Sequence, residues 1–203
     1  SANESDIRAA REKQIKESLI DRLLLTKPRI AQMVEGLREV AALKSPVGET
    51  IYSYRKENGL KIAERRVPFG VIGIIYEARP NVTADIFALC VKTGNACVLK
   101  GGSDARRSNE AIAALLHEAL RSEGIDEHAF TLLPSDHASV GALLNAVGYV
   151  DVVIPRGGAG LIRFVRENAR VPVIETGAGI VHTYFDRDGD LAKGRAVVCN
   201  AKT

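Results

Sequence analysis

The sequence predicts an α/β domain with a doubly wound parallel sheet, and three observations carry the prediction. From Gly70 onward, short apolar runs alternate with helical segments. The runs are Val71–Tyr76, Ala96–Lys100, Ala129–Leu133, Val150–Ile154, Val173–Glu175 and Ile180–Tyr184, and they are too continuous for strands with one wet face. The segments between them, 81–93, 104–123, 136–147 and 157–169, have the lengths that crossover helices need.

Ahead of this core the pattern differs. Residues 5–25 place Ile7, Ile15, Leu19, Ile20, Leu23 and Leu24 at the spacing of one helical face. Thr26 fits an N-cap, with Pro28 tolerated in the first turn of a second helix through Leu43. Two alternating segments follow, Thr50–Lys56 and Leu60–Val67, joined at Glu57-Asn58-Gly59. Asn-Gly between alternating runs is a strong hairpin signal. The chain thus divides into N-terminal helices over 1–46, a protruding β-hairpin over 50–67 and an α/β core over 70–203.

Composition narrows the class. The 203 residues are 46% hydrophobic and 26% charged, ordinary for a soluble globular chain. A net charge of +3, with basic and acidic residues interleaved, gives no basis for nucleic-acid binding. No apolar run approaches the ~18–20 residues of a membrane span, and Ser1 to Asp6 lack the apolar stretch of a signal peptide. Three cysteines without a CxxC pair argue for a reducing, cytoplasmic setting. Asn81-Val82-Thr83 matches a glycosylation sequon, a chance match without an export signal.

In open parallel sheets ligands bind beyond the carboxyl ends of the strands. The residues following the strands are Glu77-Ala78-Arg79-Pro80-Asn81, Lys100-Gly101-Gly102-Ser103, Pro155-Arg156-Gly157-Gly158 and Glu175-Thr176-Gly177-Ala178-Gly179. Lys100-Gly-Gly-Ser places a cation, flexible backbone and a capping serine at a helix start. That set suits a phosphate, or an ordinary turn with a solvated lysine. Gly157 and Gly158 permit close backbone approach to a ligand. No G-x-G-x-x-G is present, so a nucleotide site would be of another design. Asn81 either caps its helix or donates its amide to a developing oxyanion. Glu175 is a general base or a plain strand-end charge.

Other features carry less. The histidines at 117, 128, 137 and 182 lack metal-ligand spacing, and only His182 lies near a strand end. Asp186-x-Asp188-x-Asp190 fails as a calcium loop, because Leu191 and Val197 stand where Gly and Glu are needed. Cys199, in the apolar helical run Ala196–Cys199, reads as a buried structural thiol rather than a nucleophile.

Val71 to Thr83, Lys92-Thr-Gly-Asn-Ala96, Leu99 to Ser103, Ile154 to Gly158 and Asn200-Ala-Lys-Thr203 closely resemble segments of γ-glutamyl-phosphate reductases, members of the aldehyde dehydrogenase superfamily. The resemblance covers essentially the whole chain. It implies NADPH-dependent reduction of γ-glutamyl phosphate to glutamate 5-semialdehyde in proline biosynthesis. Asn81 then matches the oxyanion-hole asparagine, Lys100 the lysine that holds the adenosine ribose, with Gly101 beside it at the cofactor, and Gly157 and Gly158 the turn beside NADP(H). Ser103 stands where NAD-preferring relatives carry a ribose-binding glutamate, so room is left for a 2′-phosphate. Glu175 matches the superfamily's general base, and Arg79, Arg156 and His182 are the expected substrate contacts. The hairpin at 50–67 matches an oligomerisation flap, which implies a homo-oligomer, and glutamate 5-kinase is a further expected partner.

The sequence departs from that family in one segment and at both ends. Ile180 and Val181 replace the Asn-Cys pair usual before the histidine. The family's nucleophilic cysteine is expected about six residues past Thr203, by the superfamily's base-to-nucleophile spacing, and a helical stretch is expected ahead of Ser1. The expected chemistry is thiolate attack on the acyl phosphate, loss of phosphate to a thioester, and hydride delivery that releases the aldehyde. Residues 1–203, with neither that cysteine nor the catalytic domain, are expected to be inactive alone. The competing readings are another aldehyde dehydrogenase relative and a non-catalytic nucleotide-binding or assembly module. Tyr76-Glu-Ala-Arg-Pro-Asn81 argues against the first, since aldehyde oxidisers carry Trp-Asn there.

Overall fold

The computed structural model describes residues 1–77, 79–177 and 181–202. Helix α1 (Ala2–Glu12) opens with a capping box, the Ser1 hydroxyl accepting from Glu4 N–H while the Glu4 carboxylate accepts from the Ser1 amino group. The single face expected over 5–25 is two helices, because Gln14 takes φ 54° and turns the chain before α2 (Glu17–Leu23). Helix α3 (Lys27–Ala42) starts as its sequence requires. Thr26 Oγ1 accepts from Arg29 N–H at 3.3 Å, and Pro28 lies in the first turn.

Strands β1 (Thr50–Arg55) and β2 (Lys61–Arg65) pair antiparallel as a separate two-stranded sheet. Gly59 takes φ 87° in the connecting turn, where a side chain would be strained. Ile62 alone of the described hairpin strands is even half-buried.

The core sheet is parallel in the order β5-β4-β3-β6. Its strands are β3 (Val71–Tyr76), β4 (Ala96–Lys100), β5 (Phe130–Leu132) and β6 (Val152–Arg156). The crossovers are α4 (Asn81–Lys92), α5 (Arg106–Ser122, after a short 3₁₀ turn at Ser103–Ala105) and α6 (His137–Leu144). Helix α7 (Ala159–Asn168) follows β6.

The continuous apolar runs are explained by cover on both faces. Ile72, Ile74 and Tyr76 join Leu99, Phe130 and residues of α4 and α5 in one cluster. Ile75 joins Val153 and residues of α6 and α7 in the other. Gly73 is small because a methyl there would meet Leu143 and Val153 at 3.0 and 3.1 Å. Burying a Leu or Val as fully as Leu99 and Val153 are buried contributes roughly 1.5–3 kcal/mol each.

The last part of the chain departs from expectation. Val173–Glu175 is not a strand but a single bridge, Val173 to Val153. The strand expected over Ile180–Tyr184 is absent among its described residues, 181–184. Nothing among the described residues offers those backbone groups a partner strand. Ala178, Gly179 and Ile180 lie outside the described residues, as do Ala78 and Thr203. Helix α8 (Leu191–Lys202) forms, but Cys199 is exposed rather than buried, beside Val197 and Val198, which are exposed too. No described helix is long and apolar enough to cross a membrane.

Candidate functional site

Sheet order sets where a ligand can enter. Successive strands run from β3 outward through β4 to β5, while β6 lies on the other side of β3. The crevice beyond the carboxyl ends of β3 and β6 is therefore the switch point of the sheet. Glu77, Arg156, Gly157 and Gly158 meet there. Glu77 N–H donates to Arg156 O at 3.2 Å, extending the β3–β6 pairing by one residue. The Glu77 carboxylate then accepts from Gly158 N–H at 2.9 Å, at the start of α7. A methyl on Gly157 would lie 2.5 Å from that carboxylate oxygen, so glycine is what lets it approach.

Lys100 ends the neighbouring strand β4 and is buried. Burial pushes its pKa down, and the nearby carboxylates of Asp136 and Glu77 push it back up. The Lys100 ammonium, the α7 backbone N–H groups and a side-chain-free turn fit an anionic, phosphate-bearing cofactor.

The turn after Lys100 is built differently from its sequence reading. Ser103 does not cap a helix; Gly102 precedes the 3₁₀ turn and Ala105 precedes α5, neither with a side-chain cap. The α5 N–H groups are already taken, because Asp6 of α1 accepts from Arg107 N–H at 3.3 Å and from Ser108 N–H and Oγ, both at 2.8 Å. A phosphate seat at that helix terminus is closed. Gly101 is glycine for packing, since a methyl there would strike Asn109 Nδ2 and crowd Tyr76 Oη at 3.0 Å. Those two side chains are joined through Thr83, whose Oγ1 lies 2.6 Å from Tyr76 Oη and donates to Asn109 Oδ1 at 3.1 Å. Burial pushes the Tyr76 hydroxyl up to about 12. It also seals Thr83, so the sequon at 81–83 is not a surface acceptor.

Ser103 instead borders a hollow of about 270 Å³ with Lys13, Asp104, Arg106 and Arg107. Lys13 Nζ reaches Asp104 at 3.3 Å. Lys13 is too far in sequence from Arg106 and Arg107 to be grouped with them by any local motif.

Arg79 and Asn81 line a separate cavity of about 550 Å³ between α2, α3 and the start of α4, with Arg22, Arg29 and Asp85 among its walls. Asn81 is the first residue of α4 rather than its cap. Its Nδ2 donates to Asp85 Oδ2 at 2.9 Å, one turn along. Burial raises the Asp85 pKa, and the Asn81 hydrogen bond opposes that rise. Glu77 and Asp85 are both missed as site residues; Asp85 stands at the i,i+4 helical spacing from Asn81, while only the fold gives Glu77 its partner.

Three expected site residues stand apart from that cavity. Arg156 is exposed at the end of β6. His182 is exposed in the irregular segment 181–186. Glu175 faces Arg166 of α7 at 3.5 Å through Oε1, while its Oε2 is buried without a hydrogen-bond partner among the described residues.

Comparison with known proteins assigns this arrangement. The model of the aldehyde dehydrogenase family matches residues 21–193. The chain belongs to the aldehyde dehydrogenase family. Within it, the chain is similar to the gamma-glutamyl phosphate reductase of Bacteroides fragilis, 56% identical over 183 residues, which is 90% of this chain and 44% of that protein. The Chlorobaculum parvum reductase is likewise 56% identical over 183 residues, again 90% and 44% of the two chains. The chain thus spans under half the length of the curated relatives it matches.

Solved structures of the family agree. The Thermotoga maritima gamma-glutamyl phosphate reductase superposes with a TM-score of 0.89 at 49% identity, covering 100% of this chain and 49% of that one. The Saccharomyces cerevisiae enzyme gives 0.80 at 32% identity, covering 99% and 51%.

Proposed function

We propose that this chain is the cofactor-binding part of a γ-glutamyl-phosphate reductase, which reduces L-glutamyl 5-phosphate to L-glutamate 5-semialdehyde and phosphate with NADPH. The observation that carries the reading is Tyr76–Asn81, which spans the end of β3 and puts Glu77 at the switch-point crevice and Asn81 in the neighbouring cavity.

The cofactor would lie on the crest between Lys100 and the Gly157-Gly158 turn, supplying hydride when bound. Lys100 offers an ammonium on a buried stem, and α7 offers backbone N–H groups to the phosphates. Ser103, with Lys13 and Arg106 about its hollow, leaves room and positive charge for a 2′-phosphate. Asn81 Nδ2 has one N–H committed to Asp85 and a second to offer a developing oxyanion. The acyl phosphate would occupy the Arg79–Asn81 cavity, Arg79 serving its anionic groups. Arg156, His182 and Glu175 keep the secondary roles the resemblance implies.

The thiol for this chemistry is not among the three in residues 1–203. Cys90 and Cys97 are buried against one another, with the Cys97 thiol pushed up by the Cys90 hydrogen bond and by burial, and Cys199 sits on exposed α8. Residues 1–203 alone therefore bind cofactor without turning over. The hairpin would dock on a second copy, since a two-stranded ribbon gains little stability alone.

The test pairs two measurements. NADPH titrated into residues 1–203 should bind more tightly than NADH, and the full-length protein should form NADPH from NADP⁺, phosphate and glutamate 5-semialdehyde. Equal affinity for the two cofactors would remove the Ser103 argument, and absence of that turnover in the full-length protein would overturn the function.

A further inference from the structure

We propose that Glu77 is an internal anion that holds the seat of the cofactor's phosphates, so that it sets how tightly the dinucleotide binds. The proposal rests on the cofactor reading above and concerns a residue to which that reading gives no role toward the cofactor.

Five observations support it. Glu77 lies at the β3–β6 crevice, and its main chain is pinned by its hydrogen bond to Arg156 O. The side chain reaches the first turn of α7, where its oxygen accepts from Gly158 N–H at 2.9 Å. Helix α7 has no acidic residue in its own first turn and no side-chain cap, so Glu77 supplies from outside the negative charge that the helix terminus favours. Gly157 makes the approach possible, because a methyl there would stand 2.5 Å from the carboxylate. Lys100 lies within electrostatic reach of the same group.

The α5 terminus shows what a permanent occupant looks like. Asp6 is buried there at 3% exposure and accepts three hydrogen bonds. Glu77 is exposed and accepts one. The first carboxylate is locked; the second can leave by side-chain rotation. A pyrophosphate arriving at Gly158 meets a like charge on the N–H it needs, and Glu77 must swing away before it binds. Bound state and free state then differ by an exchange of anions on one helix terminus.

The experiment compares wild type with Glu77→Gln by calorimetric titration with NADPH at low and high salt, and by melting without nucleotide. Glu77→Gln should melt at or slightly below the wild-type temperature yet bind NADPH roughly 3- to 30-fold more tightly at low salt. The gap should shrink at about 0.5 M salt, where exposed charges are screened. Glu77→Asp, which keeps the charge one methylene further back, should fall between the two. Unchanged or weaker binding by Glu77→Gln, with wild type binding normally, would overturn the proposal. Failure of wild type and both variants to bind NADPH would instead overturn the cofactor reading, and this proposal with it.

Discussion

Asn81 and Asp85 face each other across one turn of α4, and the Asn81 amide is oriented by its 2.9 Å bond to the Asp85 carboxylate. An amide side chain can present either end to a neighbour, and a carboxylate accepts only from its N–H groups. Asp85 therefore fixes which end of Asn81 faces the cavity.

Replacing Asp85 with Ala should lower the turnover of the full-length enzyme by about 10-fold or more, short of the 10²–10³ expected when an oxyanion donor itself is removed, as in Asn81→Ala. The measurement is kcat with KM, and a change confined to KM would assign Asp85 to substrate binding alone. Stability carries a separate sign. The folded pKa of Asp85 lies above its ordinary value, so its contribution is greatest below that value and fades as pH rises through the folded pKa. Asp85→Asn should gain stability relative to wild type on going from pH 4 to pH 7, read as melting temperature.

Asp6→Ala should destabilise the chain by about 1–3 kcal/mol, because it strands the Arg107 and Ser108 N–H groups and the Ser108 hydroxyl in a buried place. Urea unfolding measures this.

Acid should loosen α6 through Asp136. Its carboxylate caps the helix by accepting from Ser139 N–H at 2.7 Å, and this bond holds its pKa below the ordinary value. A lowered folded pKa means stability present above the ordinary value and lost as pH falls through the folded one. Asp136→Asn, which still caps, should flatten the acid limb of the melting curve below about pH 4. An unchanged limb would show that another carboxylate governs it.

The hairpin should govern assembly. Ile51, Tyr52 and Tyr54 are exposed at 53%, 59% and 41%, an apolar stretch that a lone ribbon leaves wet. Replacing Ile51 and Tyr52 with Glu should shift the full-length protein to a smaller species in light scattering, with its melting profile otherwise retained. An unchanged mass would place the subunit contact elsewhere.

Much of the fold is legible residue by residue. Val71–Tyr76 and Ala96–Lys100 come out at their expected bounds because a short unbroken apolar run suits a strand buried on both faces. Thr26 with Pro28 marks a helix start by local bonding alone. Val173–Glu175 and Ile180–Tyr184 look like strands by the same rule, yet a strand is a pairing and needs a neighbour that the run itself does not supply. Cys199 misleads too, since its apolar helical run predicts a buried thiol and the residue is exposed.

The site divides in the same way. The motifs Glu77–Asn81, Lys100–Ser103 and Arg156–Gly158 are visible as glycine, proline and charge gathered at strand ends, and that much the sequence determines by itself. Whether a helix terminus is open or filled is decided only in three dimensions. Asp6 reaches α5 across about a hundred residues of chain and Glu77 reaches Gly158 across eighty-one, and no local pattern encodes either contact. Periodicity and turn chemistry act over a few residues, so they specify elements. Which carboxylate faces which N–H depends on how those elements pack, and that belongs to the tertiary structure.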